Sequence, residues 1–367
     1  MTFNSQLQLI TKIDENSMRE AKKRWDSIAK PLGSLGKLED IIIKIAGMKQ
    51  NAKDLQLSKK ALLIFCADHG VVEEGVTQTS SNVTRVVTEN FSKGLTCVNN
   101  MAKVAVTDVY PIDIGLYGKE YATKELCIGQ VINRRISDGS HNIAKESAMT
   151  KKQCEDAILV GIELVKELKD MGYGIIATGE MGIGNTTPTS ALSAVLLGKT
   201  VDEVAGKGAG LSTEGFLRKK EVLERIIHRH KKNKLISPMD ILSDIGGYEI
   251  AGMVGTFLGG GIHQIPIIID GVISAVAALI AVYIEPKVKD YILVSHLSME
   301  PAAKFIYEVL DMEPILHGNM RLGEGSGAIA IMPIITMGAA VYKNMATFDD
   351  IEIESYKELE DKKPSSL

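Results

Sequence analysis

At 367 residues with a net charge of −4, 45% hydrophobic and 24% charged residues, the chain can bury a large core and has the composition of a soluble globular protein. Only 5% of residues are aromatic, and no basic stripe or aromatic–basic interleaving occurs, so a nucleic-acid partner is not expected. The cysteines Cys66, Cys97, Cys127 and Cys154 form no C-x-x-C pair and the N-terminus lacks a signal-peptide pattern, which argues against a zinc site or disulfide framework and suits a cytoplasmic location.

Residues 5–50 read as helices interrupted at Lys30–Gly36, and 1–50 are assigned to a small helical domain. From Leu62 a unit recurs: a short apolar run, a polar turn containing glycine, then a helix. The runs are Leu62–Ala67, Ala105–Ile114, Tyr173–Thr178, Ile265–Ile269 and Tyr291–Val294. Continuous apolar strands alternating with helices predict an α/β fold, a doubly wound, mainly parallel sheet with helices on both faces, over 51–310. The apolar stretch Ile265–Ile284 is broken by Pro266 and Asp270-Gly271, so it reads as strand, turn and helix rather than a ~20-residue membrane span. Helices follow at Pro301–Leu310 and Ile329–Lys343. Residues 311–367 hold a glycine-rich loop, the last helices and a charged tail; with the N-terminal helices they are expected to form the small domain.

The stretch 179–188, Gly-Glu-Met-Gly-Ile-Gly-Asn-Thr-Thr-Pro, sits between a strand and the helix expected over Thr189–Leu197. A glycine-rich turn there offers backbone N–H groups and a helix dipole to an anion. Gly182 and Gly184 let a ligand approach the main chain, while Asn185, Thr186 and Thr187 add short polar groups. The guest fits a phosphate, and Glu180 beside it needs a separate task. A tight turn with an N-cap is the competing reading. Lys219, on a helix rich in Lys and Arg, reads equally as an anion ligand or a solvated side chain.

The second feature is Arg321-Leu322-Gly323-Glu324-Gly325-Ser326-Gly327. A glutamate between glycines, desolvated in a pocket, becomes a competent proton acceptor. Asp68-His69 reads as a structural turn more than a catalytic pair, because adjacent strand residues point apart. Asp270 reads as a hydrogen-bonding acid. No P-loop and no G-x-G-x-x-G after the first strand are present, and neither cofactor nor metal is expected.

Together these motifs resemble the nicotinate-nucleotide–dimethylbenzimidazole phosphoribosyltransferases of cobamide lower-ligand synthesis. The resemblance runs from Arg24-Trp25-Asp26 and Lys30–Glu39 through Ala67–Val71, Asp113–Gly115, Gly139–Ile143, Gly179–Thr187, Gly246–Ile250, Ile269–Gly271 and Ser295–Ser298 to Arg321–Gly327. It implies transfer of phosphoribosyl from nicotinate mononucleotide to an aromatic base, giving an α-ribotide (α-ribazole phosphate when the base is dimethylbenzimidazole) and nicotinate. It also implies a homodimer, with no membrane partner. Glu324 matches the family's general base, and Glu180 an acid at the sugar. Gly182, Asn185, Thr186 and Lys219 match phosphate contacts, and Ser298 a serine lining the active site.

The chain departs from the family at Thr77–Thr84 and at Val87, where some members carry glutamine. Thr79, Val87, Ser298 and Leu322 are therefore expected to line the acceptor-base pocket, with benzimidazole, adenine or a phenol left open as alternatives to dimethylbenzimidazole. Asp68, His69, Asp113 and Asp270 complete the polar residues at strand ends. Two other classes stay open: a nucleotide-binding regulator and a nucleotide hydrolase.

Overall fold

A computed structural model of the chain describes residues 3–208 and 210–356. The end of the charged tail, from 357 onward, lies outside the described residues. The chain separates into two units: residues 1–12 with 56–333, and residues 13–55 with 334–367.

The first unit begins with α1 (Phe3–Leu7). In the second unit, α2 (Glu15–Ser27) is started by Asp14, whose carboxylate accepts from the amides of Asn16 and Ser17, and α3 (Lys37–Lys49) follows the Lys30–Gly36 turn. Trp25 is buried against Tyr342, with ring centroids 5.3 Å apart. Lys30 and Glu39 form a buried ion pair at 2.6 Å.

The α/β unit resumes at β1 (Lys60–Ala67), followed by α4 (Asn82–Ser92), α5 (Cys97–Ala105), β2 (Asp108–Gly115) and β3 (Ile132–Asn133). Then come α6 (Lys151–Asp170), β4 (Ile175–Met181), α7 (Thr186–Leu197), α8 (Val201–Val204), α9 (Thr213–Asn233) and α10 (Pro238–Ile245). The order closes with α11 (Tyr248–His263), β5 (Ile267–Ile269), α12 (Val272–Ile284), β6 (Ile292–Val294), α13 (Ala302–Leu310) and α14 (Ser326–Asn344). The strands form one parallel sheet in the order β3-β2-β1-β4-β5-β6. Every residue of β1 is buried, as an apolar run covered on both faces requires.

Strand order reverses direction between β1 and β4, and a crevice opens there at the carboxyl ends. Helix α11 packs against α6 with backbone in near contact: a Cβ on Gly255 would lie 1.9 Å from the Ile158 carbonyl oxygen. Only glycine permits that approach. The stretch Ile265–Ile284 is β5, a turn at Asp270-Gly271, and α12, as its sequence indicates. Among the described residues α14 alone is long and apolar enough to cross a membrane, and half of that span is buried within the protein.

Two sequence expectations need correction. The second apolar run does not start at Ala105: α5 ends there, Val106 turns left-handed at φ 50°, and the strand begins at Asp108. Gly179 and Glu180 are not a turn. Strand β4 runs through Met181, its register fixed by pairing of Ile64 with Gly179 and Phe65 with Glu180.

Candidate active site

A cavity of about 290 Å³ lies at the carboxyl ends of β4, β5 and β6. The turn after β4 contributes Gly182, Gly184, Asn185 and Thr186 to it. Glu180 comes from β4 itself, Asp270 from the end of β5, and His296 and Ser298 from beyond β6. Thr79 and Val87 enter from the segment after β1, and Leu322, Gly323 and Glu324 from the loop before α14.

Glu180 joins the two motifs. Its Oε2 accepts from the Asn185 side-chain amide, so one oxygen is tied to the turn. Its Oε1 rests over Gly323, where a Cβ would come within 2.4 Å. Burial pushes the Glu180 carboxyl up to about 8, and the nearby Asp270 pushes the same way against the Asn185 hydrogen bond.

The loop carrying Glu324 is held by backbone and by Asp270. Asp270 Oδ1 accepts from the amides of Gly327 at 2.7 Å and Ala328 at 3.1 Å, and Oδ2 from Gly325 at 3.1 Å. Those amides open α14, so Asp270 fastens the loop to the helix start. Burial still lifts Asp270 to about 7 against these donors. Glu324 itself is left-handed at φ 62°, between Gly323 at 84° and Gly325 at 91°. A non-glycine residue there costs of order 1 kcal/mol or more. The result is a side chain aimed into the cavity, with Oε2 at 3.4 Å from the Val98 amide in the first turn of α5. Burial raises the Glu324 carboxyl from its ordinary value, and the Val98 hydrogen bond only partly offsets this.

The turn at 182–187 is less open than the sequence suggests. The Ile183 amide donates to Thr84 Oγ1, Asn185 to the Gly182 carbonyl and Thr187 to the Gly184 carbonyl. The helix starts at Thr186 rather than Thr189, which takes these groups into its first turn. Thr187 is buried and does not line the cavity.

Lys219 is neither a solvated side chain nor a cavity-lining one. It is fully buried, and its Nζ donates to Thr186 Oγ1 at 2.8 Å and the Gly206 carbonyl at 3.1 Å. Burial lowers its ammonium to about 8, with Glu300 pulling weakly the other way. It acts on the cavity through Thr186. Lys207, which the sequence did not single out, does line the cavity.

Asp68, His69 and Asp113 lie behind the cavity rather than on it. Asp68 Oδ2 accepts from the Tyr117 amide at 2.8 Å, while His69 Nε2 meets Glu249 Oε1 at 2.9 Å, so the two point apart and make no pair. Asp113 accepts from the Leu116 amide and from Arg135 at 2.8 Å.

A family profile described as Phosphoribosyltransferase matches residues 10–353. A nicotinate-nucleotide–dimethylbenzimidazole phosphoribosyltransferase of Ruminiclostridium cellulolyticum is 44% identical over 98% of this chain and 100% of its own length. The Clostridium acetobutylicum protein of the same name is 44% identical over the same shares. The chain belongs to the nicotinate-nucleotide–dimethylbenzimidazole phosphoribosyltransferase family.

Its fold agrees with that of the family. The crystal structure of CobT from Thermus thermophilus superposes with a TM-score of 0.85 at 33% identity, over 92% of this chain and 99% of the other. In family terms, the R-L-G-E-G-S-G loop and the turn after β4 face one another across a single cavity.

Proposed function

We propose that this phosphoribosyltransferase moves the phosphoribosyl group of nicotinate mononucleotide to an aromatic base of benzimidazole type, releasing nicotinate and forming an α-ribotide. The observation that carries it is Glu180, bonded to the Asn185 of one motif and lying against the Gly323 of the other.

The chemistry sets three demands. Nicotinate leaves from a ring already positive, so no acid is needed at the leaving group. The 5′-phosphate needs a fixed holder, for which the Gly182–Thr186 turn, stiffened by Lys219, is suited. The incoming base must lose its N–H proton, and a desolvated carboxylate at Glu324 is suited to take it.

Glu180 supplies the remaining term. In the empty site burial favours the neutral carboxyl; its proton passes to solvent as the positively charged pyridinium of the donor enters, and the carboxylate left behind is stabilised further as positive charge develops at the anomeric carbon. Asp270 keeps the Glu324 loop in place. Thr79, Val87, Ser298 and Leu322 form the wall for the acceptor, which attacks opposite nicotinate and turns a β-nucleotide into an α-product. The cytoplasmic assignment is supported by four free cysteines, and homodimer formation by the family resemblance.

Incubation with nicotinate mononucleotide and a panel of aromatic bases tests the reading. Ribotide formation is expected. Nicotinate release without any base would mark a hydrolase, and saturable binding without turnover a regulator.

A further inference from the structure

The motif at the end of β1 has a role in none of the steps above, yet its histidine is among the most buried polar groups of the protein. The His69 side chain is 1% exposed and that of Glu249 is 0% exposed, with 2.9 Å between Nε2 and Oε1. The other ring nitrogen, Nδ1, faces Ser140 Oγ at 3.5 Å. Nε2 donates to the Glu249 carboxylate, and Nδ1 meets a hydroxyl that accepts from a protonated nitrogen or donates to a bare one. Glu249 Oε2 has no partner among the described residues, so His69 is what offsets the buried carboxylate.

The imidazole lies directly under the turn after β4. A Cβ on Gly182 would stand 3.2 Å from His69 Nε2 and 3.3 Å from Cδ2, and one on Gly184 would stand 3.7 Å from His69 Cβ. The ring shares with the Ala67 carbonyl oxygen the space that Gly182 leaves open, while Val72 Cγ2 is the nearest group at Gly184, so His69 bounds the turn at Gly182. The charged groups facing His69 are Glu249 from α11 and Asp68 from its own strand end. The turn above brings Gly182, Ile183 and Gly184, none titratable; the 139–142 loop brings Ser140, while His141 is exposed and pairs with Glu146. Burial alone would drive His69 neutral, but the attraction and hydrogen bond of Glu249, with Asp68 behind it, outweigh burial and raise the pKa above its ordinary value.

We propose that His69, paired with Glu249, is a positioning residue of the donor site: it bounds the turn at Gly182 from beneath and, as an imidazolium, cancels the Glu249 carboxylate that would otherwise lie uncompensated under the nucleotide's phosphate. The inference rests on the reading that this turn receives that phosphate. Lys207 and Arg321 line the cavity together with Glu180, Asp270 and Glu324, so cancelling a further buried carboxylate behind Gly182 reduces the electrostatic cost of loading a dianion. Binding and protonation are then linked reciprocally: the nucleotide raises the His69 midpoint, and affinity falls as pH rises through it.

The test uses full-length protein labelled with ¹⁵N-histidine, titrated by NMR with and without nicotinate mononucleotide. The His69 resonances are assigned by their loss in His69→Gln. The expected result is an imidazolium at pH 7 whose midpoint moves upward on loading. His69→Gln is expected to bind the nucleotide about tenfold more weakly, with the KM for the acceptor base unchanged, and to lose the part of the pH dependence that follows the His69 midpoint. A neutral ring at pH 7 under saturating nucleotide overturns the proposal, as does a folded His69→Gln that binds as tightly as wild type. Should that variant fail to fold, the wild-type titration decides, its signals assigned by the downward shift expected in Glu249→Gln. If wild type binds no nucleotide at all, the donor-site reading falls first; if it binds and His69 stays neutral, only this inference falls.

Discussion

The two walls of the cavity are built differently. On the side proposed for the donor, Glu180, Gly182 and Asn185 are buried, Thr186 is tied to a buried lysine, and polar groups are bonded to other protein atoms. On the side proposed for the acceptor, Ser298 is buried, but Leu322 is 53% exposed and Thr79 stands on a loop whose main internal bond is Thr77 Oγ1 to the Thr79 carbonyl at 2.7 Å. A wall of interlocked groups tolerates one ligand chemistry. A wall of apolar and short polar side chains, set on connecting chain except for Val87 of α4, has more freedom to adapt to the shape of its ligand.

The contrast can be broken most directly at its meeting point. Glu324→Gln should lower kcat by two to four orders of magnitude, roughly the worth of a general base, while calorimetry finds nucleotide affinity unchanged; equal turnover removes the base assignment. In wild type, kcat should fall as pH drops through the raised Glu324 pKa, since only the carboxylate accepts a proton. Gly323→Ala should also cost activity heavily, about tenfold or more. Its Cβ would meet Glu180 Oε1 on a backbone at φ 84°; an active, fully folded variant would show that the loop has more room than described.

Smaller effects sharpen the donor side. Lys219→Met should raise the KM for nicotinate mononucleotide about tenfold with little change in saturated kcat. Burial lowers the Lys219 ammonium to about 8, and Glu180 gains its charge in the same range, so wild-type affinity should weaken as pH rises past 8 and the variant should keep only the part of that fall that follows Glu180. Stability carries an opposite sign from the usual acidic residue. Glu180 at about 8 and Asp270 at about 7 hold protons that the unfolded chain releases, so the ligand-free protein should lose stability from pH 5 toward 8. The slope is about 1.4 kcal/mol per pH unit for each proton, and Glu180→Gln should flatten it in thermal melts. Least of all, Val87→Ala should change the acceptor KM by about tenfold or less and leave nucleotide binding alone; a shift in nucleotide affinity would place Val87 on the wrong wall.

Much of this frame is legible in the chain itself. Buried parallel strands announce themselves as apolar runs, so β1, β2, β4, β5 and β6 can be placed to within a few residues. Strand β3 cannot, because Ile132-Asn133 stands between Gln130-Val131 and two arginines with no run to mark it. The end of β4 is hidden for a related reason: Gly179-Glu180-Met181 looks like a turn, and only pairing with β1 makes it strand. Lys219 carried a usable signal. It shares the spacing of Val222, Leu223 and Ile226 on the buried face of α9, so its helix position, rather than its charge, foretold burial. Glu249 had a fainter one, an acid in the first turn of a helix otherwise buried on all sides. Its bond to a histidine 180 positions earlier in the chain is tertiary and leaves no local trace.

The outermost strands of the sheet, β3 with two residues and β6 with three, bear on the protein outside catalysis. Rims this brief offer almost no unpaired ladder for another polypeptide to extend. A sheet six strands wide thereby presents scarcely any template for edge-to-edge polymerisation, even though β1 in its middle is apolar from Ala61 to Ala67. The same brevity should make the margins the first places to open on heating, ahead of the longer strands β1, β2 and β4.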